Sequence, residues 1–485
     1  MIRRQSFYIV GILLIILGFS MLFSVACSLI YGDGDLIPLL QSIAVTVGFG
    51  LILAILSRTK DKKELTTHDG FAVVTLGWIA IVIFSAFPFY FSGTLDYTNS
   101  FFEAMSGLTT TGATVLGHSS TLLIEDVPHG ILFWRSFTQF IGGMGIIVFS
   151  IAILPMLGMG GVQLFRAEVA GPVADKITPR VKQTAKLLWG IYVGFVLILC
   201  LILKIEGMSW FDAICHSFTT IATSGFSTKN ISIAAYGGLI QWTIIIFMFL
   251  AATNFSLHYY FIAKGKFEYY KDHEFRVYFG LCIIFSILFF INIVGTNKYQ
   301  TDLLSFRHSV FAAVSILTTT GFSTENFNEW PEMSKMLLFF LFFIGGSAGS
   351  TTGGMKIIRS ILVFKYLIYE VRKLLHPKGV FNITIGENTI DDNVVRATLG
   401  FYLFYILIFV FTAMVLSMTG LDVTTALTAS ASAIGNIGPG LGSIGPTDNW
   451  GHLSDFAKWL TSFCMLLGRL EIFTVVVLFS RSFWK

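Results

Sequence analysis

The sequence predicts an all-α polytopic membrane protein, and composition, hydropathy and the length of its apolar runs support this prediction. Of 485 residues, 54% are apolar and only 12% are charged, and the mean hydropathy is +0.76. A soluble protein of this length needs more charge to cover its surface. Apolar runs such as Phe7–Ile30 and Trp459–Phe479 are continuous and long enough to cross a bilayer core of about 30 Å. Strands of a membrane β-barrel would alternate instead, so we expect helices with a lipid bilayer as their main solvent.

Charge and cysteine usage exclude several other classes of protein. The net charge is +4, and basic residues fall in short connections, so we expect no nucleic-acid partner. The apolar runs contain no metalloprotease, nucleophile-elbow or carboxylate-dyad motif, so an enzyme is not predicted. The N-terminal run is too long for a cleaved signal peptide and is interpreted as a span. The cysteines lack metal-ligand spacing and are interpreted as hydrophobic packing residues: Cys27, Cys200, Cys215, Cys282 and Cys464.

Basic connections alternate with connections that are poor in Lys and Arg, such as Ala113–Gly130. Basic residues precede the first predicted span, follow the second and recur in later connections: Arg3 and Arg4; Arg58, Lys60, Lys62 and Lys63; Arg166–Lys186; Lys264–Arg276; Arg359–Lys378; Arg481 and Lys485. Because positive residues mark the cytoplasmic side of a membrane, both termini are predicted to be cytoplasmic.

Four of the intervening connections share an unusual pattern. Each contains an apolar stretch of about 15 residues, too short to span a bilayer, followed by a turn rich in Gly, Ser and Thr. The apolar stretches are interpreted as re-entrant half-helices: Ser100–Leu108, Ala213–Ile221, Ser309–Leu317 and Ala426–Ala433. The turns that follow are Thr109–Thr114, Ala222–Ser227, Thr318–Ser323 and Gly435–Gly440. Their key glycines, Gly112, Gly225, Gly321 and Gly438, are 113, 96 and 117 residues apart, which is the length of a span, half-helix, loop and second span.

The four turns have the chemistry that a pore for a monovalent cation requires. Non-helical backbone is tolerated in a membrane only where protein or a water-filled cavity surrounds it, so four such loops indicate one shared cavity. Rings of backbone carbonyls replace the water around potassium without fixed negative charge. Glycine allows the backbone to turn successive carbonyls toward one axis, and Thr and Ser hydroxyls hold such a loop extended. The absence of Asp and Glu from the loops disfavours a carboxylate ring for divalent ions.

We therefore expect four repeats around one central pore, preceded by two extra N-terminal helices. The predicted units are 1–66, the N-terminal extension; 67–165, repeat 1; 166–272, repeat 2; 273–390, repeat 3; and 391–485, repeat 4.

Two further features lie in the predicted second spans of repeats 3 and 4. Gly345–Gly354 is too rich in glycine to continue a stable helix, so it predicts a broken span that lines the cavity. Arg469 lies in the last span, with Glu471 two residues on and so on a different helix face. An ionisable residue within a span is a functional candidate. Arg469 is predicted either to lie near the ion path or, structurally, to bind loop carbonyls.

The four turns, the Gly142-Gly143-Met144-Gly145 run, the Gly345–Gly354 segment and Gly468-Arg469-Leu470-Glu471 resemble the TrkH subfamily of the Trk/Ktr/HKT potassium transporters over essentially the whole chain. The two extra N-terminal spans also resemble TrkH and are absent from the related KtrB proteins. The resemblance implies four helix–pore-loop–helix units around one pore that takes up potassium.

The resemblance also implies a potassium selectivity filter of four three-residue lines, which we call lines 1 to 4. They are Thr110, Thr111 and Gly112; Thr223, Ser224 and Gly225; Thr319, Thr320 and Gly321; and Asn436, Ile437 and Gly438. Sodium-selective plant relatives have serine at the position of Gly112, so glycine here favours potassium. Line 4 departs from the pattern with Asn-Ile and a following Pro439, which predicts low to moderate discrimination between potassium and sodium.

By resemblance, the glycine-rich segment is an intramembrane gate loop, the alternative being a static packing hinge. Its candidate residues are Gly345, Gly346, Ser347, Gly349, Ser350, Thr351, Thr352, Gly353 and Gly354. The basic stretches Arg166–Lys186 and Lys365–Asp392 are predicted either to be solvated, lipid-facing segments or to dock a cytoplasmic TrkA-type ring that binds NAD, ATP and ADP. The nucleotides would bind that partner and not this chain.

The resemblance further implies a homodimer in the inner membrane of a Gram-negative prokaryote. Potassium is the transported ion and the expected metal at the filter residues. A symporter that couples potassium to protons or sodium is the alternative function. Carboxylates along the path would favour coupling, and the few candidates, such as Glu103 and Asp212, lie near the starts of half-helices.

Overall fold

The computed structural model describes residues 4–58, 67–117, 122–152, 181–296, 298–299, 301–386 and 388–484. These residues form twenty α-helices and one β-hairpin: α1 Arg4–Ser20, α2 Leu22–Tyr31, α3 Leu36–Leu56, α4 Thr67–Ser85, α5 Phe87–Phe91, α6 Tyr97–Leu108, α7 His129–Ala152, α8 Val181–Ile205, α9 Trp210–Ile221, α10 Gly238–Ala251, α11 Phe255–Lys264, α12 His273–Val294, α13 Asp302–Leu317, α14 Glu332–Leu341, α15 Ile357–Leu375, α16 Asp392–Met418, α17 Val423–Gly435, α18 Asp455–Arg469, α19 Phe473–Val476, α20 Arg481–Trp484, β1 Thr384–Ile385 and β2 Asn388–Thr389. The prediction of an all-α polytopic protein is confirmed, with the short antiparallel hairpin as a minor addition.

Within the described residues, six helical segments are long and apolar enough to cross a membrane. They are Arg4–Tyr31, Leu36–Leu56, Asp69–Phe91, Ala185–Ile205, His273–Val294 and Asp392–Met418. Two further pairs qualify only as bent spans, α10 with α11 at 97° and α18 with the segment Phe473–Phe479 at 110°. The first two segments match the predicted N-terminal extension.

The extension is attached to the start of α7 by two acidic side chains of the α2–α3 connection. Asp33 Oδ2 accepts a hydrogen bond from His129 N at 2.9 Å, and Asp35 Oδ2 accepts one from Ile131 N at 3.1 Å. The first backbone N–H groups of a helix have no partner within the helix, and carboxylates there also meet the positive end of its dipole. These two contacts therefore fix the extension against the helix that follows the first loop.

Four short helices, α6, α9, α13 and α17, correspond to the predicted half-helices. Three of them end at the predicted residue, but all four begin earlier than predicted. Helix α6, for example, begins at Tyr97 where Ser100 was predicted. Each begins after an N-cap side chain that accepts a backbone N–H three residues on: Asp96 from Asn99, Ser209 from Asp212, Thr301 from Leu304 and Asp422 from Thr425. Such caps fix the start of a helix, and the sequence contained this signal.

The predicted continuous span over Trp459–Phe479 is wrong. Helix α18 ends at Arg469, and the next helix is turned by 110°. Glu471 lies between the helices with a φ of 53°, so the prediction that it occupies another face of the same helix is also wrong. The break allows the Glu471 carboxylate to reach Arg359 on α15, with Oε2 and Nη2 2.8 Å apart.

Candidate ion-conducting site

All four half-helices end in the same hydrogen-bonded turn. The middle residue of each filter line donates its backbone N–H to a carbonyl five residues earlier: Thr111 to Ser106 at 2.8 Å, Ser224 to Thr219 at 3.0 Å, Thr320 to Ser315 at 2.9 Å and Ile437 to Ser432 at 3.0 Å. This six-to-one bond is that of a Schellman motif, which closes a helix when the preceding residue turns left-handed. Lines 1 to 4 therefore begin where the half-helices are forced to stop.

The first and third residues of every line have positive φ. The first residues are Thr110 at 52°, Thr223 at 50°, Thr319 at 54° and Asn436 at 53°, and the third are Gly112 at 80°, Gly225 at 78°, Gly321 at 76° and Gly438 at 105°. Glycine adopts this region freely, whereas a β-branched residue there is an outlier. The repeated alternation gives four chemically different segments the same backbone shape.

The four lines lie side by side in a closed ring. A Cβ built on Gly112 would lie 2.0 Å from Ser224 O, one on Gly225 2.0 Å from Thr320 O, one on Gly321 2.0 Å from Ile437 O, and one on Gly438 2.6 Å from Thr111 O. Each glycine therefore faces the carbonyl of the next line, and line 4 returns to line 1. Any side chain at these glycines would collide with a neighbouring backbone.

The ring has a polar cavity on the side of the residues that follow the glycines. Its lining includes Thr114, Ser227 and Ser323, together with the charged side chains of Lys229 and Asp448. On the opposite side lie the ends of the half-helices, whose last carbonyls carry the negative end of the helix dipole. A cation on the ring axis would thus be close to carbonyl oxygens and to four helix C-termini.

The glycine-rich segment lies against the half-helix side of the ring. It is non-helical between Leu341 and Ile357, so the predicted break in this span is present. Thr223 Oγ1 of line 2 donates to Thr351 Oγ1 at 3.2 Å, and Gly353 N donates to Thr319 Oγ1 of line 3 at 2.9 Å. The segment is buried and contacts lines 2 and 3 directly.

Arg469 is buried at the same level and binds backbone rather than a carboxylate in the described contacts. Its Nη1 donates to Thr351 O at 2.9 Å and its Nη2 to Gly142 O at 3.1 Å. The side chain is 2% exposed, so these two bonds are made in a desolvated setting. Arg469 therefore joins the glycine-rich segment to α7.

The two carboxylates considered for ion coupling have other partners. Glu103 forms an ion pair with Arg135, with Oε1 and Nε 2.7 Å apart. Asp212 accepts from Thr228 Oγ1 and from Ser209 Oγ at 2.9 Å. Sequence reasoning did not single out Arg135, because its partner is 32 residues earlier and neither residue belongs to a recognised motif.

Comparisons with known proteins place this architecture among cation transporters. The TrkH family model, described as cation transport protein, matches residues 39–485. Potassium uptake proteins TrkH of the Trk systems of Vibrio parahaemolyticus and Escherichia coli are each 40% identical to the chain, covering 99% and 98% of both sequences respectively.

The crystal structure of the potassium transporter TrkH from Vibrio parahaemolyticus superposes with a TM-score of 0.90 at 38% identity, over 99% of each chain. The family consists of transporters rather than enzymes, as the sequence predicted. The chain belongs to the TrkH family of cation transport proteins.

Proposed function

We propose that the chain is a potassium-uptake pore of low to moderate selectivity, in which lines 1 to 4 form the filter. The observation that carries this proposal is the closed ring, in which each glycine faces the carbonyl of the next line. Carbonyl rings without fixed charge suit a monovalent cation that must also leave. The relatives named as potassium uptake proteins support potassium as the ion.

The glycine-rich segment is proposed as the gate. Its support is position and bonding, since it occupies the half-helix side of the ring and binds Thr223 and Thr319 through Thr351 and Gly353. The segment is non-helical, so it can move without unwinding a helix. Arg469 would hold this gate shut through the Thr351 carbonyl, and its positive charge would oppose a cation below the filter.

The pore is proposed to work within a larger assembly. The chain would form a homodimer in the inner membrane of a Gram-negative prokaryote, with both termini cytoplasmic and the five predicted units as its parts. A TrkA-type ring that binds NAD, ATP and ADP would regulate it, and relatives named as parts of Trk systems support a regulatory partner. Of the two proposed docking stretches, Arg166–Lys186 lies mostly outside the described residues, while Lys365–Asp392 contains the end of α15 and the β-hairpin.

The alternative, a potassium symporter coupled to protons or sodium, is less well supported. Coupling requires a carboxylate that can exchange its counter-ion during transport. Glu103 is held by a buried arginine, and the Asp212 carboxylate accepts hydrogen bonds from Ser209 and Thr228, so both have structural partners.

Rubidium uptake into proteoliposomes, with sodium as competitor and with or without an imposed proton gradient, tests the proposal. We expect uptake down the rubidium gradient that excess sodium reduces only partly and that the proton gradient does not drive. No rubidium flux, even in potassium-uptake-deficient cells that contain the regulatory partner, would contradict a potassium pore. Uptake that requires a proton or sodium gradient would favour the symporter.

A further inference from the structure

Three buried polar side chains stand behind lines 1 and 2, outside the ring itself. They are Glu103 on α6 and Arg135 and Gln139 on α7, each at most 1% exposed. Buried charges and amides are expensive unless their hydrogen-bonding groups are satisfied. Their partners in this structure are the backbone segments that flank two of the filter glycines.

The Glu103 carboxylate fastens the first half-helix to the chain that follows Gly112. Its Oε1 accepts from Thr114 Oγ1 at 2.8 Å and from Arg135 Nε at 2.7 Å, and its Oε2 accepts from Val115 N at 2.9 Å. Both carboxylate oxygens are therefore occupied. The outer end of line 1 cannot shift without breaking a bond to this carboxylate.

Arg135 extends the connection from repeat 1 to repeat 2. Its Nη1 donates to Ser227 O at 2.8 Å, and its guanidinium lies 3.7 Å from the centre of the Phe226 ring. A planar guanidinium suits this arrangement, because it can bind a carboxylate, bind a carbonyl and stack on an aromatic face together.

Gln139 lies one helical turn beyond Arg135, on the same face of α7. Its Nε2 donates to Ser224 O at 2.9 Å, and its Oε1 accepts from Ser224 Oγ at 2.9 Å and from Phe226 N at 3.1 Å. Ser224 O is the carbonyl that faces Gly112 in the ring. Helix α7 of one repeat thus holds a filter carbonyl of the next.

This arrangement differs between the two halves of the ring. The residue nine positions before the key glycine is Glu103 in line 1 and His216 in line 2, but Ala312 and Ala429 in lines 3 and 4. His216 Nε2 lies 2.9 Å from Ser227 Oγ, so it also holds the chain after its glycine. At this position, lines 1 and 2 are each preceded by a polar side chain that bonds the segment after the glycine, whereas lines 3 and 4 are preceded by alanine.

We propose that Glu103, Arg135 and Gln139, which we call the clamp, are positioning residues for ion selectivity. The clamp fixes the Ser224 carbonyl and the outer ends of lines 1 and 2, so that the ring keeps the diameter of a larger cation and does not close around a smaller one. The inference rests on the proposed function, because it assigns a role within that filter. It predicts a change in ion preference rather than only a loss of flux.

The test is the rubidium-to-sodium permeability ratio of full-length variants in proteoliposomes, measured alongside total rubidium uptake. Gln139→Leu removes the bonds to Ser224 and Phe226 but leaves the ion pair intact. We expect its ratio to fall about tenfold, because three buried hydrogen bonds are lost and part of their free energy favours the larger ion. Arg135→Lys keeps the charge but loses the planar fork, and a similar fall is expected.

Gln241→Leu is the matched control. Gln241 is also a buried glutamine, 4% exposed and on α10, but its Nε2 donates to Tyr236 O at 2.9 Å and to Ile233 O at 3.4 Å, both in a connecting segment and neither in a filter line. Its loss should damage packing to a similar degree and leave the ratio unchanged. A lower ratio in the clamp variants but not in Gln241→Leu would show that the clamp affects ion preference and not only the stability of the fold.

The outcomes distinguish the two proposals. A wild-type protein without rubidium flux would contradict the pore itself. A selective wild type with a ratio in Gln139→Leu within twofold of its own, or an equal fall in Gln241→Leu, would overturn the clamp. If one clamp variant fails to assemble, the other decides the question by the same ratio.

Discussion

In lines 1 to 3 the residue that enters the left-handed region is a threonine, whereas in line 4 it is Asn436. Asparagine tolerates this conformation, and a β-branched residue does not. Line 4 is thus relaxed at its first residue, while the other three are strained and carry a hydroxyl. The three threonines therefore place a hydroxyl here at a conformational cost that glycine or asparagine would avoid.

The side chains at this position also differ in what they bind. Thr223 and Thr319 bind the glycine-rich segment, whereas Asn436 Nδ2 donates to Thr111 Oγ1 at 3.0 Å and to Met465 O at 2.9 Å. Lines 2 and 3 therefore hydrogen-bond the proposed gate through their first residues. Asn436 instead bonds line 1 and α18, and it meets the gate by packing, since a Cβ on Gly353 would lie 2.7 Å from the Asn436 Cβ.

The largest expected effect is at the glycines that end the four lines. In Gly112→Ser, a non-glycine residue in the left-handed region costs about 1–3 kcal/mol, and its Cβ would meet Ser224 O. We expect the rubidium-to-sodium permeability ratio to fall tenfold or more, since about 1.4 kcal/mol corresponds to tenfold. Gly438→Ser should have a smaller effect, because its neighbouring carbonyl is farther away, at 2.6 Å.

Gly280→Ser on α12 is the control for both variants, because a Cβ there meets nothing within 4 Å. An unchanged ratio in Gly112→Ser would show that the first loop is not part of the filter. An equal fall of the permeability ratio in Gly112→Ser and Gly438→Ser would contradict the predicted difference between lines 1 and 4.

The next largest effect is on the free energy of unfolding, and its sign is opposite in lines 4 and 1. Asn436→Thr should lower the free energy of unfolding by about 2–3 kcal/mol, through left-handed strain and the loss of two buried hydrogen bonds. Thr110→Gly should raise it by about 1 kcal/mol, since glycine adopts the left-handed region without strain and the Thr110 Oγ1 that is lost has no hydrogen-bond partner. The thermal unfolding midpoint of purified protein measures both. A lower midpoint for Thr110→Gly would contradict the proposed strain.

A smaller effect is expected on gating. Thr319→Val keeps the β-branched shape but loses the acceptor for Gly353 N. Basal rubidium flux without a regulatory partner should rise about fivefold, the equivalent of one hydrogen bond of about 1 kcal/mol. Thr110→Val, which removes a hydroxyl that has no hydrogen-bond partner, should leave basal flux near the wild-type value. A rise of the same size in both variants would show that the hydrogen bond from Gly353 to Thr319 does not hold the gate closed.

The smallest effect is expected from giving line 4 the missing hydroxyl. In Ile437→Thr the ring contact comes from the backbone, because Ile437 O is the atom that faces Gly321. The permeability ratio should therefore change less than about twofold, a difference of under about 0.5 kcal/mol. A large gain in potassium preference would show that side chains rather than carbonyls set the discrimination.

Much of the structure around the four lines could be predicted from sequence, because the half-helices depend on local patterns. The apolar stretches and the glycines predicted where the half-helices end. The N-cap residues Asp96, Ser209, Thr301 and Asp422 are the sequence signal for where they begin. Left-handed threonines could not be predicted, since propensity argues against them and only the surrounding ring imposes them. The Glu103–Arg135 pair and the turn at Glu471 depend on contacts between distant segments, which no local pattern contains.

Four unequal lines are proposed to form one ring that binds a monovalent cation. Crystals grown in rubidium, with anomalous diffraction recorded at the rubidium edge, test this directly. We predict anomalous peaks on the ring axis, within coordination distance of the carbonyls of Thr111, Ser224, Thr320 and Ile437, and weaker peaks at the same positions in Gly112→Ser. Rubidium peaks only elsewhere, with none between the four lines, would contradict the account.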